Sequence, residues 1–486
     1  MKKRLLAALL ASAAVLSFAG CSSNTNSSTP ASGNDSSTPA DDSSVADDSS
    51  AADDSSAADD SSAADDSSVA EDNAETGLTD DGDCLTILAW ETNSDVVKMV
   101  DFFRQTKGYT EDQVKFVGVG EKGENARDQY KQYLKGEDDA DLMIYDADWV
   151  ADYINDDNLT APYSAIDLTT ADFPEAFSYT LDYGTNDAGV FKAASFQATP
   201  GGFVYRADLA QEYLGVSTPD EMQALISDWD KFQETGAKLY EASGNKTSIQ
   251  ATEGGLWQVF QSNRTQAWVV DGKLVMDNAE DFYDIAKAMQ DNHSLAGVPQ
   301  WDQAWYNAIM DGTALGDFVP TWGLTTTGGG SILENFTNGG DTELGKNMAI
   351  CEGPSGWFWG GSYFGVSTKC DNKTLAKEFI EFFCKDADTM KAYAAETGDF
   401  MNNKTVMTEA TIENPLLNGQ DHYKVLTAVL DKLDLSNKLT KYDSIIKNLF
   451  NQSVQGYLDG TYATKDDAIN AFKGDVATNY PELVIE

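Results

Sequence analysis

Between Cys84 and Trp149, short apolar runs alternate with amphipathic stretches, and this alternation narrows the possible folds more than any other feature of the chain. "CLTILAW" (84–90) is an apolar run of strand length. In "SDVVKMVDFFRQTKGY", Ser94 can cap a helix, Val96, Val100 and Phe103 share one helical face, and Gly108 ends it. "DQVKFVGVG" reads as a second strand, "ENARDQYKQYLKG" as a helix closed by Gly136, and "DADLMIYDADW" as a third strand. Strand, helix, strand, helix, strand is the grammar of a parallel sheet with right-handed crossovers. The chain has 486 residues, and the part from Cys84 onward is too long for one typical core, so two lobes are expected.

Later elements are also legible. In "STPDEMQALISDWDKFQETGAKLYEASG", Thr218, Pro219 and Glu221 form a capping box, and Met222, Leu225, Trp229 and Phe232 make an apolar stripe that assigns Trp229 to a core. "AWVVDGKLVMD" reads as a hairpin over Asp271-Gly272. "NKTLAKEFIEFFCKDADTMKAYAAETG" reads as a long helix broken near Asp386, and Thr464 with Asp467 caps a last helix.

The N-terminus has a different chemistry. "MKKR" followed by "LLAALLASAAVLSFA" has the positive and apolar regions of a secretory signal, spanning residues 1–20. Small residues before Cys21 resemble the lipobox of bacterial lipoproteins, with Phe18 where leucine is usual. The resemblance implies lipid on Cys21 and attachment to the extracellular face of the cell membrane, stable with more than one acyl chain. Residues 21–83 are rich in Ser, Asp and Ala, contain no Lys or Arg, and repeat ADDSS(A/V) with a period of six. Such a segment cannot offset the cost of chain ordering and reads as a disordered tether.

The formal charge is -47, which repels nucleic acid and anionic lipid alike, so no nucleic-acid partner is expected. Only two histidines are present, and HExxH, GxSxG and phosphate-loop motifs are missing, so neither a metal nor a cofactor nor a catalytic centre is expected. The glycine-rich "TTTGGGS" (325–331) lacks a phosphate loop's lysine and reads as a surface loop. Cys84, Cys351, Cys370 and Cys384 show no metal spacing; they read as buried free thiols, and pairing in an exported chain stays open because spacing does not decide it.

Several stretches, in order, resemble the extracellular solute-binding proteins of ABC sugar importers, the maltose-binding-protein-like group. They are "LTILAW", "DQYKQYLKGEDDADLMIYDADWVADYINDDNL", "FKAASFQATPGGFVYRADLAQEYLG" with Arg206 where Asn is common, "MDGTALGDFVPTWG" with Leu315 in place of Met, and "GGSYFGVSTKCDNKTLAKEFIEFF". The resemblance implies a type II periplasmic-binding-protein-like α/β fold: residues 84–196 and 361–418 as one lobe, 197–360 and 419–486 as the other, and a ligand cleft between them. The carboxyl ends of strands in such sheets are where ligands sit. The expected ligand-binding residues are therefore Trp90 and Glu91 after strand one and Asp146, Asp148 and Trp149 after strand three, with Trp357 and Trp359 where the chain returns between lobes. The resemblance further implies Trp322, from the family motif, and Asp399 in "ETGDF", a loop that often approaches ligand in that family. Trp257 and Trp301 read as lobe core or surface.

Indole faces suit the C–H face of a pyranose, and carboxylates suit its hydroxyl rim. The expected ligand is a mono- or oligosaccharide, neutral because Lys and Arg are scarce near these stretches, and the expected partners are the permease subunits of an importer. Two other readings stay open at this point: the same fold binding a polyamine, peptide or metal chelate, and a secreted glycoside hydrolase with two carboxylates facing across the cleft.

Overall fold

The computed structural model describes residues 77–90, 95–119, 130, 132–134, 140–325, 330–433, 435 and 438–486. The signal peptide, Cys21, Glu91, Gly136 and most of the tether lie outside the described residues. The strands are β1 (Leu85–Ala89), β2 (Val114–Gly118), β3 (Leu142–Asp146), β4 (Thr160–Ala161), β5 (Ala193–Ser195), β6 (Gly201–Arg206), β7 (Ser248–Gln250), β8 (Val269–Val270), β9 (Lys273–Leu274), β10 (Ala314–Pro320), β11 (Met348–Cys351) and β12 (Ser362–Ser367).

One sheet has the order β2-β1-β3-β12-β4, with β5 also on β12. The pairs β1–β2 and β1–β3 are parallel, Leu85 facing Val114 and Ile87 facing Leu142, as the strand–helix alternation requires. Its strands are apolar on both faces, the pattern of a sheet covered on both sides. The helices Asp95–Lys107 and Lys373–Cys384 meet through Phe103 and Phe379, whose ring centroids lie 5.0 Å apart. The second sheet has the order β11-β6-β10-β7. Phe203 and Phe318 pack there at 5.2 Å and Phe232 joins them from the helix Trp229–Ala242.

Two loops carry the chain between the sheets, residues 196–200 from β5 to β6 and residues 352–361 from β11 to β12. They run side by side. Trp359 N donates to Thr199 O (3.0 Å), Thr199 Oγ1 donates to Gly360 O (2.8 Å), and Pro200 bridges Phe358. A third segment joins this bundle, since Ala198 N donates to Phe400 O and Asn402 N to Phe196 O.

Gly360 and Gly361 have φ of 75° and 122°, a backbone that L side chains rarely adopt, so glycine is needed where the chain turns into β12. Gly201 is needed for another reason: a Cβ there would overlap the Trp357 ring and lie 2.7 Å from Val319 O. Gly201→Ala is therefore expected to lower stability by about 2 kcal/mol, read by chemical denaturation. An unchanged midpoint would show that this packing is not tight.

The structure departs from the sequence reading in two places. The stretch from Thr218 is two helices. Thr218 Oγ1 accepts from Glu221 N (3.2 Å) and completes the capping box, but the helix ends at Leu225. Asp228 then caps a new helix by accepting from Lys231 N (2.9 Å), so Trp229 opens the second helix and is half-buried at the edge of the core. The tether expected over 21–83 also stops short. Leu78 is buried, Thr79 N donates to Cys370 O (3.1 Å), and Asp80 accepts from Thr374 N (2.7 Å), capping the Lys373–Cys384 helix, which has no cap of its own. Gly82 N also donates to Asp371 O and Lys373 N to Thr79 O, so residues 77–83 are held against the start of that helix.

The hairpin over Asp271-Gly272 and the helix break at Asp386 are as the sequence indicated. The four described cysteines are free thiols.

Candidate functional site

The loop after β3 is shaped by its first residue. Asp146 Oδ1 accepts from Asp148 N (2.8 Å), and Ala147 N donates to Gly361 O (2.9 Å), tying the loop to the crossing. Asp148 and Trp149 are half-buried as a result. Trp90 stands behind them, buried and edge-on to Trp149 at 5.5 Å.

Across from this loop lie two helices, Glu253–Gln261 and Asp443–Leu458. Three neighbouring cavities share Asp148 and Lys447 as lining residues. The first also touches Tyr183, Gln258, Gln261, Arg264, Trp268, Trp359 and Asp443. The second touches Asn186, Asp187 and Ser444. The third is lined almost wholly by polar groups: Gln258, Gln261, Ser444, Asn448 and Asn451, with Trp149 and Trp257 as its aromatic walls.

Hydrogen-bonding capacity is left over here. Gln261 Oε1, Arg264 Nε, Trp268 Nε1, Ser444 Oγ and Asn451 Oδ1 are buried and have no partner within the protein. Each line of these cavities thus holds a donor or an acceptor whose burial is costly until something bonds it. Arg264 is otherwise fixed: its terminal nitrogens donate to Met276 O (3.0 Å) and Val275 O (2.8 Å), and its guanidinium lies 3.6 Å from the Trp268 ring centroid. Asp443 is pinned by Thr440, accepting from its Oγ1 at 2.6 Å and its N at 3.1 Å, and burial raises its carboxyl above the usual carboxylate range. Burial likewise pushes the Tyr183 phenol well up.

A group of indoles adjoins the first cavity through Trp359. Trp322 Nε1 donates to Trp359 O (2.9 Å), and the two rings meet edge-on at 5.2 Å. Trp301 stacks on Trp322 with 13° between planes and contacts Trp359 at 5.6 Å. Trp301 is 52% exposed and has a φ of 74°. A bulky residue in the left-handed region is strained, and such strain gathers at functional sites.

The residues expected from sequence therefore separate. Asp148, Trp149 and Trp359 line the cavities, Trp322 is bonded to Trp359, and Trp90 and Asp146 support the loop. Trp357 does not join them: it is fully buried in the second lobe against Phe318, at 5.9 Å. Residues 352–361 are a bent crossing and not a strand, so Trp357 and Trp359, two residues apart, need not share a side. Asp399 is buried in the crossing bundle, where Oδ2 accepts from Gln197 Nε2 (2.7 Å) and Oδ1 from Phe400 N (2.8 Å). It ties the crossing segments together and lines none of the three cavities.

The sequence reading missed Gln258 and Gln261, Trp301, and the stripe Ser444, Lys447, Asn448 and Asn451. The last four follow helical spacing, so a signal existed. A polar stripe on a helix ordinarily faces solvent, and only the opposing lobe makes it a wall of a cavity.

Two α/β lobes joined by crossing segments, with aromatic and uncommitted polar groups between them, make up the architecture of a two-lobed solute-binding protein. The chain belongs to the bacterial extracellular solute-binding protein family, whose model matches residues 98–419. That membership implies work outside the cytoplasm. Among solved structures, the fold is similar to the galacto-N-biose-/lacto-N-biose I-binding protein of an ABC transporter from Bifidobacterium longum, in complex with lacto-N-biose: TM-score 0.64, 16% identity, 84% of this chain and 100% of that one. It is similar to the ABC transporter associated binding protein of B. animalis subsp. lactis Bl-04, in complex with beta-1,6-galactobiose: TM-score 0.63, 16% identity, 83% and 99% coverage. It is also similar to the GacH receptor of Streptomyces glaucescens, with TM-score 0.61, 15% identity, and 82% and 98% coverage. No curated protein matches the chain. The family and these neighbours are binding proteins, and at such identities the likeness establishes the fold.

Proposed function

We propose that this chain is the lipid-anchored substrate-binding subunit of an ABC importer and that it carries a mono- or oligosaccharide. Residues 84–196 with 361–418 would form one lobe and residues 197–360 with 419–486 the other. The hinge would be the crossing bundle around Thr199, Gly360 and Asp399. Closure would shift an equilibrium between open and closed forms, and the closed form would dock on permease subunits. Cys21 would hold the lipid, with the segment up to residue 76 as spacer.

The observation that carries this reading is the set of unpartnered buried groups between the lobes: two donors, Arg264 Nε and Trp268 Nε1, two acceptors, Gln261 Oε1 and Asn451 Oδ1, and the hydroxyl Ser444 Oγ, which can act as either. A molecule rimmed by hydroxyls, each able to donate and accept, matches such a set, and its C–H faces match Trp149 and Trp359. The complexes of the structural neighbours support the same ligand class. Arg264, Lys438 and Lys447 around the first cavity disfavour a polyamine. Asp443, tied to Thr440, is poorly placed to move protons as a glycosidase acid.

Tryptophan fluorescence titrated with a sugar panel and with spermidine tests the reading. A saturable change with at least one sugar is expected, with no release of reducing ends from oligosaccharides. Saturation by spermidine alone, or reducing-end release, would overturn it.

A further inference from the structure

Lys447 lines all three inter-lobe cavities from the helix Asp443–Leu458. It is half-buried, and among the described residues it forms no ion pair. Asp148 lines the same three cavities, yet no ion pair joins the two. Lys438 and Arg264 border the first cavity as well. The acids on that cavity are Asp148 and Asp443; burial raises the Asp443 carboxyl, while the charges of Lys447 and Arg264 and the bonds from Thr440 pull it back down. The second cavity adds Asp182 and Asp187, of which Asp187 already faces Lys441 at 3.9 Å. In a chain of formal charge -47, a cavity bordered by three cations and two acids reverses the local balance.

We propose that Lys447 receives a carboxylate of the ligand, so that the bound sugar is acidic, a uronic acid or an oligosaccharide containing one. This rests on the carbohydrate reading and narrows it. Lys447 acts on the buried Asp443 four residues before it on the same helix, but among the described residues no carboxylate lies within ion-pair distance, so its half-buried ammonium is only partly compensated. A ligand carboxylate would complete it with a charge-assisted hydrogen bond, the strong kind, in the cavities that Lys447 lines. A neutral sugar would leave that ammonium without a direct ion pair when the lobes close. Scarcity of Lys and Arg near the sequence motifs pointed to a neutral ligand, because Lys447, Lys438 and Arg264 lie outside those motifs and reach the cleft only through the fold.

The test is fluorescence titration of the full chain with neutral mono- and disaccharides and with their uronic-acid counterparts, for example galactobiose against digalacturonate. It is repeated on Lys447→Met and Lys447→Arg after checking that both unfold at the wild-type temperature. The expected result is at least tenfold tighter binding of an acidic member than of its neutral counterpart, a preference reduced below threefold in Lys447→Met and kept in Lys447→Arg. Neutral sugars binding as tightly as the acidic ones would overturn the inference and leave the carbohydrate reading standing. An acidic preference that survives in Lys447→Met would overturn the assignment to Lys447. Failure of every saccharide, neutral and acidic, would overturn the carbohydrate reading itself.

Discussion

Trp357→Ala should lower the unfolding free energy by about 3–5 kcal/mol, the range for removing a fully buried large aromatic. Its ring packs against Phe318 and fills the space that Gly201 leaves open, so the cavity created would have rigid walls. Trp359→Ala, two residues along, should do the reverse. Its half-buried ring lines the first cavity and meets Trp322 and Trp301 edge-on and tilted. Stability should fall by no more than about 1 kcal/mol, while ligand affinity falls roughly 10–100-fold, the loss typical of an aromatic anchor. Urea denaturation and ligand titration of both variants measure the contrast. Equal effects on stability and on affinity would show that the crossing does not divide the two indoles between core and cleft.

The second large effect is on pH. Glu253 opens the helix that supplies Gln258 and Gln261, and its carboxyl is buried beside Gln455. Burial raises it from 4.5 to about 8. Asp317 on β10 is fully buried and is raised from 3.8 to about 7 by burial, in spite of hydrogen bonds from Trp305 Nε1 and Phe318 N, both at 2.7 Å. The unfolded chain loses these protons near their ordinary values, whereas the folded chain holds them until about 8 and about 7. Stability from both groups is therefore fully present below about pH 4. It falls as pH rises from about 4, at up to ~1.4 kcal/mol per pH unit for each group, and levels off above about 7 for Asp317 and about 8 for Glu253. Glu253→Gln removes one of these contributions. At pH 8 the variant should be more stable than the parent by up to about 4 kcal/mol, and near pH 4 the two should converge. Thermal unfolding from pH 4 to 9 measures this, and an unchanged slope in the variant would mean that Glu253 ionises freely in the folded chain.

Features that depend on a few neighbouring residues were legible without the fold. The Thr218 capping box, the Asp271-Gly272 turn, the break at Asp386 and the parallel arrangement of the first three strands all rest on side chains within a turn or two of the backbone they act on. The break at Asp228 was obscured because the apolar stripe runs on in phase across it, so only the second cap reveals it. Asp80 was read as tether because its task is to cap a helix 294 residues later.

At the site the division is sharper. Asp148, Trp149, Trp322 and Trp359 could be named because they follow strands or fall in a recognisable crossing. Trp301, Gln261 and Lys447 could not, since nothing near them in sequence distinguishes a cavity wall from a solvated face. The sequence by itself determined the strand and helix grammar, the caps and the candidate indoles, because those follow from local backbone chemistry. The tertiary structure alone decided that Trp357 is buried in a core while Trp359 lines a cavity, and that Lys447 and Asp148 line the same three cavities. Direction and burial at a crossing depend on what packs from the other lobe, and that neighbour is hundreds of residues away in the chain.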